Sequence, residues 1–370
     1  MAVRLGILQS IPASPIPAGL QATGPRSISA VKTLRLSITD RCNFRCVYCM
    51  PADGVAWLAK DSLLTLEEIV RVAKVAFHHH GIRHFKLTGG EPTVRRGVVD
   101  LVRQLRAIDP SIQLSMTTNG FALADLARPL RQAGLNRVTV SIDSLRPDRF
   151  ARITRTGDLP TVLLGIDRAI DAGFEVVKLN CVAMRGINDD EFAGFARLTQ
   201  HMPVTVRFIE YMPLGDSQAT RAIESQRVAS DELGPAGGCG GQIRGDVFIS
   251  QDEIISRIER ELGSIIKAET LETDLGPALP HQLAIGNPVG RLGFISAMSA
   301  PFCSTCNRLR LTAQGVLRSC LFEGGEVAIR EMLREDSSDE AIARAMVECV
   351  LKKPEVHSRR GRTPMSQIGG

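Results

Sequence analysis

The sequence predicts an α/β protein: a partial (β/α)6 TIM-type barrel followed by a smaller C-terminal domain. Three observations carry that expectation. From residue 33 to about residue 210, short β-rich runs alternate with helical runs, the pattern of a parallel sheet with crossover helices. Within the strand runs apolar and polar residues alternate, giving each strand one core face and one polar face. Two cysteine triplets mark the two parts, Cys42, Cys46 and Cys49 near the start and Cys303, Cys306 and Cys320 near the end.

The chain of 370 residues suits one large domain or two moderate ones. Residues 1–31 carry Pro12, Pro15, Pro17, Gly19, Gly24 and Pro25, which break any apolar targeting segment and predict a disordered leader. The barrel is expected over 32–215. Its strands fall near 33–39, 83–88, 112–117, 137–142, 175–181 and 204–210, and its helices near 65–80, 97–108, 121–133, 160–172 and 189–200. Residues 216–246, with Gly237-Gly238-Cys239-Gly240-Gly241, read as a flexible loop. The C-terminal domain takes 247–370, with helices near 251–262, 325–335 and 338–352.

Composition narrows the function. Hydrophobic residues at 44% and charged residues at 23% are ordinary for a globular protein without membrane spans. Aromatic residues are only 4%, which disfavours base stacking on nucleic acid. The net charge of +5 has no long basic run behind it and suits a small anionic substrate. Nine cysteines, six of them in two triplets, do not resemble a secreted disulfide framework. A reducing, cytoplasmic setting is expected.

The first triplet has C-x3-C-x2-C spacing, in Cys42-Asn43-Phe44-Arg45-Cys46-Val47-Tyr48-Cys49. Three thiols so close together cannot all be core positions. Thiolates are soft ligands that select zinc, copper(I) or iron–sulfur clusters. Three ligands on one loop leave one iron of a four-iron cluster open for chemistry. The loop follows the first strand, at the carboxyl end where barrel sites gather. Gly89-Gly90-Glu91-Pro92 and Thr117-Thr118-Asn119-Gly120 end the second and third strands on the same rim; each reads equally well as a turn.

The second triplet has no histidine close by, so an auxiliary iron–sulfur domain is expected. Zinc remains open there with His281 as a distant fourth ligand. Cys181 and Cys349 read as small buried hydrophobes, and His78-His79-His80 as a solvated helix end. On the strands, Arg35, Lys86, Lys178 and Arg207 fall on the polar face and would point into one cavity. Like charges ~4–8 Å apart repel by about 2–4 kcal/mol per pair at an effective dielectric near 20. Such a set calls for an anion, with Asp143 offsetting part of the charge. Arg308 and Arg310 could add two more cations at the barrel mouth.

These residues carry a resemblance. CNFRCVYC is similar to the signature of the radical S-adenosylmethionine (SAM) superfamily. LRLSITDRCNFRCVYCMP, KLTGGEPTVRR, TTNG, VSIDSL, VKLNCV, RFIEYMPLGD, CSTCNRLRLTAQGVLRSC and the final GG resemble its GTP 3′,8-cyclase family. The resemblance implies two [4Fe–4S] clusters, the first on Cys42, Cys46 and Cys49 and the second on Cys303, Cys306 and Cys320. It implies SAM contacts at Tyr48, Gly90, Ser141 and Met212. It implies GTP contacts at Arg35, Lys86, Thr117, Lys178, Arg308, Leu309 and Arg310, and a tail, Gly369-Gly370, that reaches toward the active site. The implied reaction is reductive cleavage of SAM to a 5′-deoxyadenosyl radical. Hydrogen abstraction from carbon 3′ of GTP and closure onto carbon 8 of guanine then give 3′,8-cyclo-7,8-dihydro-GTP, the first step of molybdenum cofactor biosynthesis. The implied partners are GTP, a reducing electron donor and a downstream pterin-forming enzyme, with neither nucleic acid nor membrane; a homodimer is left open. Two other readings stand at this point: a radical SAM enzyme acting on a peptide, and a zinc-stabilised binding protein.

Overall fold

The computed structural model describes residues 24–214, 247–269, 276–322, 324–335, 337–357 and 365–368. The loop expected at 216–246, Cys239, Gly369 and Gly370 lie outside the described residues, as does most of the expected leader. Residues 24–31 are described and packed. Gly24–Arg26 and Ile28–Ala30 form two short 3-10 turns, and Val31 is buried.

Six parallel strands form the centre. They are β1 (Thr33–Ser37), β2 (His84–Thr88), β3 (Gln113–Thr118), β4 (Arg137–Ser141), β5 (Val176–Ala183) and β6 (Val204–Glu210), each paired with the next in the chain. The crossovers carry α1 (Leu66–His80), α2 (Val98–Arg106), α3 (Leu123–Gln132), α4 (Pro147–Thr154), α5 (Leu159–Asp171) and α6 (Phe192–His201). Helix α4 is an addition to the helices expected from sequence. Helix α1 starts on a capping box between Thr65 and Glu68 and stops at Gly81, whose φ of +66° suits a residue without a Cβ. The three histidines before Gly81 are the last turn of that helix, and His80 bonds the Ala343 carbonyl at 3.1 Å.

Alternation along the strands separates core from cavity. Leu34, Leu36, Phe85, Leu87, Val138 and Val140 are fully buried in the main apolar cluster, against the helices. Arg35, Lys86, Thr139 and Lys178 take the opposite face and line the barrel interior.

The C-terminal region builds onto this sheet. Helix α7 (Gln251–Leu262) is followed by β7 (Ile265–Lys267), β8 (Leu279–Leu283), β9 (Arg291–Ile295), β10 (Arg308–Leu311), β11 (Val316–Arg318) and β12 (Glu326–Ala328). Then come α8 (Arg330–Arg334), α9 (Asp339–Leu351) and α10 (Met365–Ile368). β10 lies parallel beside β1, and β9 parallel beside β6. The order is β12-β11-β10-β1-β2-β3-β4-β5-β6-β9-β8-β7, an open sheet of 12 strands. The C-terminal chain therefore extends both edges of the six-stranded centre. The helix expected near 325–335 divides into β12 and the short α8, because Val327 pairs with Leu317 across the β11–β12 ladder. Among the described residues no helix is long and apolar enough to cross a membrane.

Candidate active site

The first cysteine loop leaves the carboxyl end of β1 and is held from both sides. On one side the Gly90 amide donates to the Thr39 carbonyl, and the Glu91 amide to that of Arg41, both at 2.8 Å. On the other, the amides of Arg45 and Val47 donate at 2.9 Å to the carbonyls of Thr154 and Ile153, at the end of α4. Arg155, with φ at +61°, places its guanidinium on the carbonyls of Arg45 (2.9 Å) and Met50 (3.1 Å). Thr156 donates to the Asn43 carbonyl at 2.8 Å. Phe44 is buried and meets the rings of Phe121 and Phe150 edge-on. Backbone ladders and a buried ring therefore shape the loop independently of its thiols.

Gly90 is the tightest point of this arrangement. A Cβ there would stand 2.3 Å from the Arg41 carbonyl oxygen and 2.6 Å from that of Asp40, both backbone atoms that cannot swing aside. Gly90→Ala is expected to cost about 3 kcal/mol. It should also lower iron loading, because the displaced strand end leads directly into Cys42. Urea denaturation and iron analysis check this, and a variant with wild-type stability and iron would contradict it.

The second triplet lies at the opposite end of the barrel. Cys303 and Cys306 flank a single 3-10 turn just before β10, and the β10–β11 hairpin returns the chain to Cys320. Because β10 runs parallel to β1, this is the amino-terminal end: the Asn307 carbonyl accepts from the amides of Lys32 and Thr33. All six cysteines line one cavity of about 370 Å³. The two triplets thus face one another through the barrel interior.

Between them stands a layer of cations. Arg310, Arg35 and Lys86 are in register on adjacent strands, and Lys178, Arg207 and Arg308 line the same cavity. Neighbouring strands are about 4.8 Å apart, where two like charges repel by about 3 kcal/mol at an effective dielectric of 20. The titration of Lys86, Arg35 and Arg310 reflects it. Burial first, then Arg207, Arg35, Lys178 and Arg308, hold the Lys86 ammonium well below its ordinary range. Burial first, then the neighbouring arginines, do the same to Arg35. Burial and Arg308 bring Arg310 down to about 9. Asp143 lines the same cavity and is itself held by two donors. Its oxygens accept from Tyr48 Oη at 2.7 Å and the Val182 amide at 2.8 Å. Burial pushes its carboxyl up to about 6.

The residues present fit the groups that the motifs imply. Each triplet offers thiols only, a donor set suited to iron–sulfur clusters, and no disulfide joins any of them. Among the described residues, no group of three or more His, Cys, Asp or Glu side chains is arranged to hold a metal ion, so the fit rests on the donor set and the shared cavity. Burial pushes the Cys42 thiol up to about 11 and that of Cys46 well above its usual range. A bound metal ion reverses that by taking the thiolate. At Cys306 burial also raises the thiol, but Arg308 and Lys353 outweigh it and the group lies below its usual value. Thr117 Oγ1 is buried without a hydrogen-bond partner among the described residues, on the cavity wall. An anion with further polar groups would satisfy both the cation layer and this hydroxyl.

Of the other candidates, Tyr48, Gly90, Ser141 and Met212 line the cavity near the first triplet's end of the strands. Leu309 points the other way, into the core, between Arg308 and Arg310. The two arginines line the cavity from β10, beside β1, at the end that carries the second triplet. His281 does not line the cavity; its Nδ1 lies 3.0 Å from the Leu279 carbonyl and its ring meets Phe294 edge-on. The fourth zinc ligand weighed from sequence is therefore absent from the site. Cys181 and Cys349 are buried outside the triplets.

Three features escaped the sequence reading. Glu210, ending β6, is buried and accepts from the amides of Met298 and Ser299, each at 2.9 Å, and from that of Gln251 at 3.1 Å. It fastens the strand that leads to Met212 to the turn that leads to Cys303. His357 lies flat on Phe322 at 4.1 Å, and Met365 of α10 also lines the cavity. Lys353 touches Cys306. Nothing in the local pattern of Leu351-Lys352-Lys353-Pro354 distinguishes Lys353 from its neighbour.

Known proteins align with both parts of the chain. The Radical SAM superfamily model matches residues 36–199, and the Molybdenum Cofactor Synthesis C model matches residues 232–359. The GTP 3′,8-cyclase of Moorella thermoacetica is 44% identical over 344 residues, covering 92% of this chain and 98% of that protein. The GTP 3′,8-cyclase of Desulforamulus reducens is 42% identical over the same shares. Among solved structures, Streptococcus suis SuiB bound to S-adenosylmethionine aligns with a TM-score of 0.50 at 13% identity, over 91% of this chain and 77% of that one. At that identity the likeness speaks for the fold alone.

Proposed function

This chain belongs to the radical SAM superfamily and, within it, to the GTP 3′,8-cyclase family, and from that premise we propose that it converts GTP to 3′,8-cyclo-7,8-dihydro-GTP, the first step of molybdenum cofactor biosynthesis. The observation that carries the reading is one cation-lined cavity with a cysteine triplet at each end. Cys42, Cys46 and Cys49 would hold the cluster that binds SAM, and Cys303, Cys306 and Cys320 the second. Two [4Fe–4S] clusters with SAM supply the one-electron chemistry that activates the ribose and closes its bond to guanine.

The protein's part is placement and enclosure. Tyr48, Gly90, Ser141 and Met212 would seat SAM at the first triplet's end. Arg35, Lys86, Lys178, Arg207, Arg308 and Arg310 would take the triphosphate, whose charge relieves their mutual repulsion. Thr117 would accept or donate a hydrogen bond to the nucleotide. The backbone of Leu309, with its side chain in the core, would keep the two arginines in register. The wall would shield a reactive centre from solvent. A peptide substrate would leave this cation layer without a purpose.

The fine setting belongs to the same proposal. Six thiols dedicated to metal call for a reducing compartment, so we place the enzyme in the cytoplasm. A reducing electron donor supplies its electrons, and a pterin-forming enzyme consumes the product. The barrel is assigned to 32–215 and the second-cluster domain to 247–370. The deciding experiment is anaerobic release of 5′-deoxyadenosine by the iron-loaded protein, with and without GTP. GTP-stimulated release is expected. Release indifferent to GTP, or zinc without acid-labile sulfide in the purified protein, would overturn the reading. Lys178→Ala is expected to weaken GTP binding by roughly 10–100-fold, the loss of one charge-assisted phosphate contact, with iron content unchanged. Equal GTP affinity in titration calorimetry would remove Lys178 from the site.

A further inference from the structure

Lys353 is a lysine with only 3% of its surface exposed. Its neighbour Lys352 shows the ordinary arrangement, pairing with exposed Glu348 one turn back on α9. Lys353 turns inward instead. Its Nζ lies 3.1 Å from the Cys306 carbonyl, 3.2 Å from the Arg308 carbonyl and 3.9 Å from Cys306 Sγ. An ammonium has three protons to donate, and these are three acceptors. Two of them belong to Cys306 and the third lies two residues beyond it.

The backbone of Lys353 is fixed independently of the cysteines. Its amide donates to the Val350 carbonyl at 3.0 Å, extending the end of α9. Its carbonyl accepts from Arg26 Nε at 2.9 Å, and Arg26 also pairs with Glu355 at 3.3 Å. The packed segment after residue 23 thus clamps the chain that presents this lysine. Lys353 is not part of the cavity wall, whereas Cys306 and Arg308 are. It reaches the triplet from outside the reaction chamber, where no substrate needs to displace it. Arg308, the other cation beside Cys306, stacks on Phe302 at 4.8 Å on the cavity wall.

We propose that Lys353 is a positioning residue for the second cluster, its ammonium bonded to the Cys306 sulfur and to the flanking carbonyls so that the cluster's reduction potential is set higher than three cysteines alone would set it. This rests on the reading that Cys303, Cys306 and Cys320 hold that cluster. The sign follows from charge. A four-iron cluster on three thiolates is net negative, and reduction makes it more so. A buried cation and a hydrogen bond to the ligating sulfur both favour the reduced form. The same contacts pin the turn between Cys303 and β10, so ligand and charge are placed together.

The test is an EPR-monitored redox titration of the anaerobically reconstituted full chain, in a background with Cys42, Cys46 and Cys49 replaced by alanine so that only the second triplet binds iron. Iron and sulfide for one cluster in that background support the underlying reading, and their absence refutes that reading rather than the role of Lys353. Against it, Lys353→Met, Lys353→Arg and, as a control, Lys352→Met are compared. Lys353→Met should keep its iron and titrate at a lower potential, Lys353→Arg should move back toward the parent, and Lys352→Met should match it. A Lys353→Met protein that loses its iron while Lys353→Arg retains it also supports the proposal, since only the charge differs in kind. A fully loaded Lys353→Met protein at the parent's potential overturns it, as does loss of iron from both Lys353 variants, which would make the contact one of shape alone.

Discussion

Cys46→Ala abolishes turnover, by at least about 10⁶-fold, to the uncatalysed background, while the protein stays folded with the iron of one cluster. The expectation separates chemistry from structure because the loop around Cys46 is built without its thiol. The amides on either side of Cys46 are bonded to Thr154 and Ile153, and Arg155 holds the carbonyls of Arg45 and Met50. Removing one sulfur leaves those bonds intact, so the melting temperature of the metal-free protein should shift little. The other two thiols cannot complete the tripod. Cys181→Ala is the control, since that sulfur is buried outside both triplets; it should retain both clusters and activity. Iron and sulfide analysis with anaerobic product assay checks both variants. Measurable cyclisation by Cys46→Ala would refute the assignment of the first triplet.

The parts of this site that were legible in the sequence are the local ones. A strand's period of two depends only on neighbouring residues, so Leu34-Arg35-Leu36 and Phe85-Lys86-Leu87 announce their inward cations without knowledge of the fold. The first triplet is legible for the same reason, lying within one loop. The parts that were hidden depend on distant pairing. Arg308-Leu309-Arg310-Leu311 has the same alternation as β1, yet its place beside β1 rests on a parallel ladder between Arg310 and Arg35. Strands β7, β11 and β12 have three residues each, too few for a period to show. Helix α4 begins at Pro147, closely after β4, and reads as part of a connection. Asp143 shares the inward face with the cations, and that much is local; its bond to Tyr48, 95 residues away in the chain, is not. Glu210 and Lys353 act through contacts with the second triplet's surroundings, which no local pattern records.

The cation layer makes a prediction whose two halves have opposite signs. Lys86→Met should stabilise the ligand-free protein by about 1–3 kcal/mol, because a buried cation among like charges is replaced by an apolar chain of similar length. The same change should weaken GTP binding by roughly 30- to 4,000-fold, the effect of losing about 2–5 kcal/mol from one partner of a buried charge pair. Lys86 is the suitable position. It stands in register beside Arg35, and its burial and neighbours hold its pKa well below 10.5. That shift fixes the pH dependence. Unfolded, the lysine keeps its proton up to about its ordinary value; folded, it gives the proton up earlier. Over the interval between the folded value and 10.5 the unfolded chain binds more protons, so wild-type stability rises with pH there. The variant lacks this group's share of the rise. Thermal denaturation without nucleotide, repeated across that interval below pH 10.5, reads the first half, and the smaller upward shift on adding GTP reads the second. A ligand-free Lys86→Met protein less stable than wild type would mean that the layer is already neutralised by the protein itself, and the anion would no longer be needed to explain it.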